Sequence, residues 1–207
     1  MAQVNNTTLP AYPEKATLEG KNKVLGFWLF LGGEVVLFGS LFATFIALRH
    51  SYNGGPTGAE LFDLRLVAVA TAILLTSSLT SVFSVLAMHR HDSAGTIRWL
   101  IVTVILGFCF LGLEIYEFSH YMSLGHTMGS SAFGSAFYTL VGFHGAHVLG
   151  GVIWITLLIF QHAKKGLTTV TAPKYYLASL YWHFVDLVWV FIFTVVYLMG
   201  FLGGKVG

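Results

Sequence analysis

Five long apolar segments are the feature that most limits what this chain can fold into. They cover approximately residues 24–48, 66–88, 97–121, 132–160 and 175–202. Each reaches the roughly 20 residues that a helix needs to cross about 30 Å of hydrocarbon. Barrel strands alternate in polarity over about ten residues, whereas these segments are apolar throughout. The sequence therefore predicts an all-α fold, a polytopic transmembrane five-helix bundle that forms a single transmembrane domain over residues 24–207.

Composition and charge support lipid as the main solvent and exclude several classes of function. Of the 207 residues, 56% are hydrophobic and 10% are charged, against about 25% charged in soluble proteins. A net charge of +2, spread along the chain, lacks the basic face that nucleic-acid binding requires. The single cysteine, Cys109, excludes an intrachain disulfide and a cysteine-based zinc site, and we expect it to be a buried, inert thiol.

The distribution of Lys and Arg predicts how the bundle is oriented. Residues 1–23 are polar and contain no apolar segment of the kind a signal peptide needs, so they are predicted to form an extramembrane tail. Eight basic residues lie on the side of this tail and three on the other side. The eight are Lys15, Lys21, Lys23, Arg90, Arg98, Lys164, Lys165 and Lys174, and the three are Arg49, Arg65 and Lys205. This asymmetry places the N-terminus in the cytoplasm and the C-terminus outside.

Two stripes of small residues are predicted to be packing seams, where neighbouring helix backbones approach closely. In the second segment small residues recur at every fourth position, and in the fourth segment a shorter stripe has the same step. The members are Ala68, Ala72, Thr76, Thr80 and Ser84 in one stripe, and Gly142, Ala146 and Gly150 in the other.

Away from the outermost turns, where Arg98 and His120 lie, seven Asp, Glu and His side chains fall inside the apolar segments, where lipid should not tolerate them. Glu34 lies near the middle of the first segment, where an ionised group costs about 2.5–3.5 kcal/mol on insertion scales, so it should be protonated, paired or turned toward protein. The other six form three pairs with a spacing of three residues, which places each pair on one helix face. These pairs are Glu114 with Glu117, His144 with His147, and His183 with Asp186.

Three interpretations of these groups remain open from the sequence. A membrane di-iron site would combine glutamates and histidines from several helices, but such sites use Glu-x-x-His pairs, whereas the three pairs here are Glu-x-x-Glu, His-x-x-His and His-x-x-Asp. A proton or ion path is the second interpretation, since intramembrane ionisable residues commonly mark one. We favour the third, an interhelical hydrogen-bond network worth about 0.6–2 kcal/mol per bond. A free-standing transporter is also compatible with the composition.

Four stretches of the sequence resemble the signature motifs of subunit III of haem-copper oxidases. They are Gly26 to Glu34 (GFWLFLGGE), Gly134 to Tyr138 (GSAFY), Gly142 to Val148 (GFHGAHV) and Tyr181 to Trp189 (YWHFVDLVW). The resemblance covers residues 24–202. It is greatest to the short, five-span subunit III of cytochrome c oxidases of the caa type, with the homologous subunit of quinol oxidases next. Longer members of the family have two further spans at the N-terminal end, which in the caa type are attached to the catalytic subunit.

The resemblance implies a function and a set of partners. It implies a metal-free subunit of a complex that oxidises cytochrome c, reduces oxygen to water and pumps protons, with haem and copper held by subunits I and II. It further implies a possible small subunit IV, bound phospholipid and a location in the plasma membrane of a bacterium. The histidine count agrees, because a catalytic subunit needs about six histidines on its spans, whereas here only His144, His147 and His183 lie well inside one.

The resemblance also implies roles for individual residues. Glu34 matches the family's intramembrane carboxylate, which supports proton uptake or stability of the catalytic subunit. The remaining buried polar positions carry a structural and lipid-contacting role only, with no catalytic residue and no metal ligand in this chain. Those positions are Glu114, Glu117, His144, His147, His183 and Asp186.

Overall fold

Five long helices make up nearly all of the structure. The computed structural model of the chain describes residues 10–52 and 62–203. The helices are α1 (Leu18–Leu48), α2 (Leu64–His89), α3 (Ser93–Ser123), α4 (Ala132–Lys165) and α5 (Ala172–Ile192). A 3-10 turn at Pro13–Lys15 precedes α1, and α5 continues through a π-helical turn, Phe193–Leu198, into a last helical segment, α6 (Met199–Gly203).

The fold predicted from the sequence is confirmed. All five helices, the fifth counted from Ala172 to Phe201, are long and apolar enough to cross a membrane. The described ranges contain no strand. Lys205 and the first nine residues of the predicted tail lie outside the described part of the chain.

Polar side chains cap the first turns of α1, α3 and α4, and α1 and α3 begin before the predicted apolar segments. The Thr17 hydroxyl accepts the Gly20 N–H at 3.0 Å, so α1 begins at Leu18, within the residues predicted as tail. Asp92 and Ser131 cap α3 and α4 in the same way, with bonds of 2.8 and 2.9 Å to backbone N–H groups. A side chain that satisfies one of the free N–H groups of the first turn stabilises a helix start by about 1 kcal/mol.

The buried faces of the helices follow a 3.5-residue repeat, with alternating steps of three and four residues. On α2 the row is Val67, Ala70, Leu74, Ser77, Ser81, Ser84 and Met88, and on α3 it is Thr96, Leu100, Thr103, Gly107, Phe110, Glu114, Glu117 and Tyr121. Such a repeat keeps one stripe facing a neighbour along the whole length of two nearly parallel helices. Consistent with this, α2 and α3, which are joined by a short turn, share the largest helix–helix interface.

The predicted small-residue seams are wrong for most of their length. Of the five seam residues on α2, only Thr80 and Ser84 are buried. A step of four residues on a helix of 3.6 residues per turn rotates the stripe by about 40° each time, so the rest of it faces outward. On α4 the close approaches occur at glycines outside the predicted seam. A Cβ on Gly145 would lie 2.6 Å from a Glu114 carboxyl oxygen, and one on Gly151 would lie 3.0 Å from the Trp182 ring.

Cys109 is exposed rather than buried, which corrects a second expectation. The repeat on α3 buries Gly107 and Phe110 and leaves Phe108 and Cys109 on the outward face. An apolar sequence context did not distinguish the two faces, because lipid accepts apolar groups as readily as the protein interior does.

The fifth helix lies at the centre of the arrangement that positions the polar groups. Helix α5 packs against α1, α2 and α4, and of the five spans it has the largest buried share. Its Trp182 and Trp189 are fully buried and donate hydrogen bonds to α2, to Ser77 Oγ at 2.9 Å and to Thr71 Oγ1 at 3.0 Å. These bonds fix which face of α5 meets α2.

Candidate functional site

The intramembrane carboxylate of α1 is paired with a histidine of α4. His147 Nε2 lies 3.1 Å from Glu34 Oε2, and the other ring nitrogen, Nδ1, lies 2.7 Å from the Phe143 carbonyl oxygen. Phe38, one turn along α1, contacts the same imidazole edge-on, with ring centroids 5.0 Å apart. The pair is half-buried, with side-chain exposures of 14% for Glu34 and 18% for His147, and it therefore lies near the edge of the bundle.

The two hydrogen bonds of His147 determine how many protons the pair holds. The Phe143 carbonyl can only accept, so His147 Nδ1 must carry a hydrogen. A proton must then also lie between Nε2 and the Glu34 carboxyl for that contact to be a hydrogen bond. The pair is therefore either a carboxylic acid with a neutral imidazole or a carboxylate with an imidazolium. Its net charge is zero in both cases, which lowers the cost of placing it within lipid.

A second cluster lies toward the ends of α3 and α5, around Glu117. The Tyr121 hydroxyl donates to one carboxyl oxygen of Glu117 at 2.5 Å, and the Tyr197 hydroxyl donates to the other at 3.0 Å. Both tyrosines are fully buried. The π-helical turn brings this about, because its extra residue rotates the end of α5 so that Tyr197 faces α3.

His144 and Glu114 occupy the interior between α3, α4 and α5. The His144 ring is fully buried, stacks on Trp189 with ring centroids 5.1 Å apart and meets Phe110 edge-on. Neither nitrogen of this ring, nor Glu114 Oε1, has a hydrogen-bond partner among the described residues. Sequence spacing placed His144 and His147 on one face, but in the structure His144 faces the core and His147 faces α1.

The third group joins α2 to α5. His183 Nδ1 lies 2.7 Å from Ser78 Oγ, and His183 Nε2 lies 3.4 Å from Ser179 Oγ, which accepts a hydrogen bond from Ser81 at 2.8 Å. Asp186, one turn further along α5, is 4% exposed, and both of its carboxyl oxygens lack a hydrogen-bond partner among the described residues. Ser78 is its polar neighbour across the interface.

The structure thus distributes the seven predicted side chains over separate groups on different helix pairs. Between residues 10–52 and 62–203, no set of three or more His, Cys, Asp or Glu side chains is arranged to hold a metal ion. The sequence interpretation did not include the hydroxyl partners of these side chains, which are Ser78, Ser179, Tyr121 and Tyr197. A signal for Tyr121 was present, since it falls on the 3.5-residue repeat of α3.

Comparison with known proteins identifies the family to which this chain belongs. The family described as cytochrome c oxidase subunit III matches residues 4–201 of the chain. The chain belongs to the cytochrome c oxidase subunit III family. Cytochrome c oxidase subunit 3 of Bacillus subtilis is 64% identical over 197 residues, 95% of each chain. The protein of the same name from Bacillus sp. PS3 is 61% identical over 197 residues, again 95% of each chain.

Similarity to quinol oxidase subunits is lower. Quinol oxidase subunit 3 of Bacillus subtilis is 47% identical over 203 residues, 98% of each chain. Relatives of both kinds match at least 95% of the chain, so the similarity extends over the whole five-helix fold.

Proposed function

We propose that this chain is the non-redox subunit III of a respiratory cytochrome c oxidase, the complex that reduces oxygen to water and couples this reaction to proton pumping. The chain itself is non-catalytic and supports the stability and the proton uptake of the catalytic subunit. The observation that carries the proposal is the 64% identity to a cytochrome c oxidase subunit, against 47% to a quinol oxidase subunit. A quinol oxidase subunit III is the second candidate, and a free-standing transporter has less support.

The partners and cofactors follow from this role. We propose oxidase subunits I and II, together with a small subunit IV, as protein partners. Haem and copper belong to those partners, and phospholipid binds at the surface of this chain. Five apolar helices and bacterial oxidase relatives support a multi-pass bacterial membrane protein, and we propose the plasma membrane, with the N-terminus in the cytoplasm.

The roles of the polar side chains are proposed on their contacts. Glu34, at the edge of the bundle and paired with His147, supports proton uptake or stability of the adjacent catalytic subunit. The buried network consists of Glu114, Glu117, His144, His147, His183 and Asp186 and holds the helices in register, with lipid contact where these side chains reach the surface. No catalytic or metal-binding role is proposed for any of them.

Purification of the tagged chain from its native membrane tests the assembly and its electron donor. We expect haem and the two larger oxidase subunits to co-purify with the chain and the complex to consume oxygen with reduced cytochrome c. Oxygen consumption with quinol alone would identify the second candidate. A homogeneous, haem-free protein without oxidase subunits would contradict both.

Replacement of Glu34 tests its proposed role. In Glu34→Ala we expect an unchanged haem spectrum, with slower proton uptake or faster loss of activity during sustained turnover. The matched control is Glu19→Ala on the same helix, since Glu19 is exposed and, within residues 10–52 and 62–203, bonds only to Lys23, at 2.6 Å. If Glu34→Ala turned over and pumped as long as the wild type, Glu34 would have no functional role.

A further inference from the structure

We propose that Asp186 is a proton-binding site inside the bundle that exchanges its proton with a surface cleft through His183 and Ser78. The path lies within this chain and does not depend on which electron donor the complex uses.

The surroundings of Asp186 determine whether its carboxyl group is protonated. Its carboxyl group is 4% exposed and has no hydrogen-bond partner or ion-pair partner among the described residues. Ionisation of an unpaired carboxyl in such surroundings costs several kcal/mol. The neutral, protonated form is therefore the resting state. It gives α5 a buried acidic proton near the middle of its span.

A row of polar side chains between α2 and α5 leads to this carboxyl group. Ser179, His183 and Asp186 lie at spacings of four and three residues, so all three face α2. His183 Nδ1 and Ser78 Oγ are 2.7 Å apart, and Ser78 is the polar neighbour of Asp186. In the proposed path, a small movement of the Ser78 side chain or one bridging water links its hydroxyl group to the carboxyl.

The directions of the hydrogen bonds agree along the chain. Ser81 donates to Ser179 Oγ, which leaves the Ser179 proton free for His183 Nε2. With Nε2 accepting, the hydrogen of the neutral imidazole is on Nδ1 and is donated to Ser78. The Ser78 hydroxyl hydrogen is then free to turn toward Asp186. Ser81 and Ser179 act as positioning residues, and the arrangement with the hydrogen on Nδ1 is the one ready to deliver a proton to an ionised Asp186.

A cleft on the surface of the bundle reaches His183. Ser179 and His183 line a cleft of about 160 Å³ between α2 and α5, together with Val82, Tyr176 and Leu180. This volume admits water, and the Ser179 and His183 side chains supply polar atoms that can bind it. His183, which is half-buried, is thus the one imidazole that contacts both the cleft and the Ser78 hydroxyl.

The transfer balances with a single proton. A proton from the cleft binds His183 Nε2, the Nδ1 proton passes to Ser78 Oγ, and the original Ser78 hydroxyl proton passes to an ionised Asp186. One proton enters and one is bound, and His183 is left as the Nε2–H tautomer. Reversal of the same three steps returns the proton to the cleft.

Infrared spectroscopy of the purified oxidase complex tests the path. The difference between wild-type and Asp186→Asn spectra isolates the carbonyl stretch of the protonated carboxyl, which shifts when its proton is replaced by deuterium. After transfer to heavy water, we expect Ser78→Ala to slow this shift about tenfold or more, equivalent to about 1.4 kcal/mol in the barrier. His183→Phe is expected to slow it similarly, and Ser78→Thr, which keeps the hydroxyl, to restore the wild-type rate.

Ser77→Ala is the matched control, because it removes the hydrogen bond from Trp182 across the same interface, one residue away from the path. We expect it to leave the exchange rate of Asp186 within a factor of about two of the wild type. Absence of a carboxyl band that depends on Asp186 would overturn the proposal. Equal exchange rates in Ser78→Ala and the wild type, or equal slowing in Ser77→Ala, would also overturn it.

Discussion

At the scale of single residues, the hydrogen bond between Glu34 and His147 offsets the cost of placing two polar side chains within the membrane, and it joins α1 to α4. The hydrogen bond from Nδ1 to the Phe143 carbonyl leaves Nε2 as the atom that must meet Glu34, and one shared proton keeps the pair neutral. The two ways of placing that proton differ in their response to substitution. Glutamine imitates the carboxylic acid, since its amide can donate to Nε2, but it cannot imitate the carboxylate.

We therefore expect Glu34→Gln to retain most of the thermal stability of the assembled complex in detergent, while Glu34→Ala loses about 1–3 kcal/mol because Nε2 is left unpaired. Thermal melting of the two variants, followed by loss of the haem-bearing complex, measures the difference. Equal destabilisation by the two substitutions would instead establish the carboxylate–imidazolium form.

His126 allows a pH prediction outside the spans. It lies in the α3–α4 connection, where burial lowers its pKa below the usual value, and its Nε2 has no partner among the described residues. Below the usual pKa of about 6.5, the unfolded chain binds a proton that the folded chain excludes. Stability attributable to this group is thus fully present above that pH and falls as the pH drops below it.

We expect the thermal stability of the wild type to decrease as the pH falls from about 7 to about 5.5, and His126→Phe to reduce this dependence. The phenylalanine ring keeps the contacts with Phe133 and Tyr138. Melting temperatures of both proteins over this range measure the effect. Identical pH profiles would show that other groups cause the acid sensitivity.

At the scale of helices, the packing depends on a few positions without side chains. A Cβ on Gly107 of α3 would lie 2.8 Å from both the Trp182 ring of α5 and the Val152 methyl of α4. Both of these side chains are fully buried and have little room to move. Gly112, on the same helix, has nothing within 4 Å.

We expect Gly107→Ala to destabilise the complex by about 1–3 kcal/mol through overpacking. In contrast, Gly112→Ala should be neutral or slightly stabilising, since Ala favours a helix by up to about 1 kcal/mol over Gly. Thermal melting and the yield of assembled complex from matched expression compare the two. A neutral Gly107→Ala would mean that α3, α4 and α5 can separate without cost.

The number and length of the helices could be predicted from the sequence, but which helices contact one another could not. Hydropathy determines the number and length of spans because the thickness of the hydrocarbon is fixed. It carries no information about which helices touch, so the Glu34–His147 contact, 113 residues apart, required the structure. The π-helical turn that directs Tyr197 toward Glu117 has no proline or glycine between Phe193 and Leu198 to signal it.

At the scale of the whole molecule, histidine-centred contacts close the end of the bundle that carries the N-terminus. His89, at the end of α2, bonds the buried Glu14 at 3.2 Å. His162, near the end of α4, lies 2.7 Å from Ser93 Oγ of α3 and 2.9 Å from the Tyr175 hydroxyl of α5. These hydrogen bonds involve the ends of α2, α3, α4 and α5, where the apolar packing stops. The count of basic residues predicts that this is the cytoplasmic end.

The orientation can be tested with single cysteines in a Cys109→Ser background. Met128→Cys lies in the α3–α4 connection and Lys164→Cys near the end of α4, and both positions are exposed on opposite ends of the bundle. Because Lys and Arg are retained on the cytoplasmic side, we expect a membrane-impermeant maleimide to label Met128→Cys in intact cells and Lys164→Cys only after permeabilisation. The reverse pattern would invert the bundle. It would place the cleft that feeds Asp186, which lies in the half of α5 nearer its N-terminal end, on the outer side of the membrane midplane.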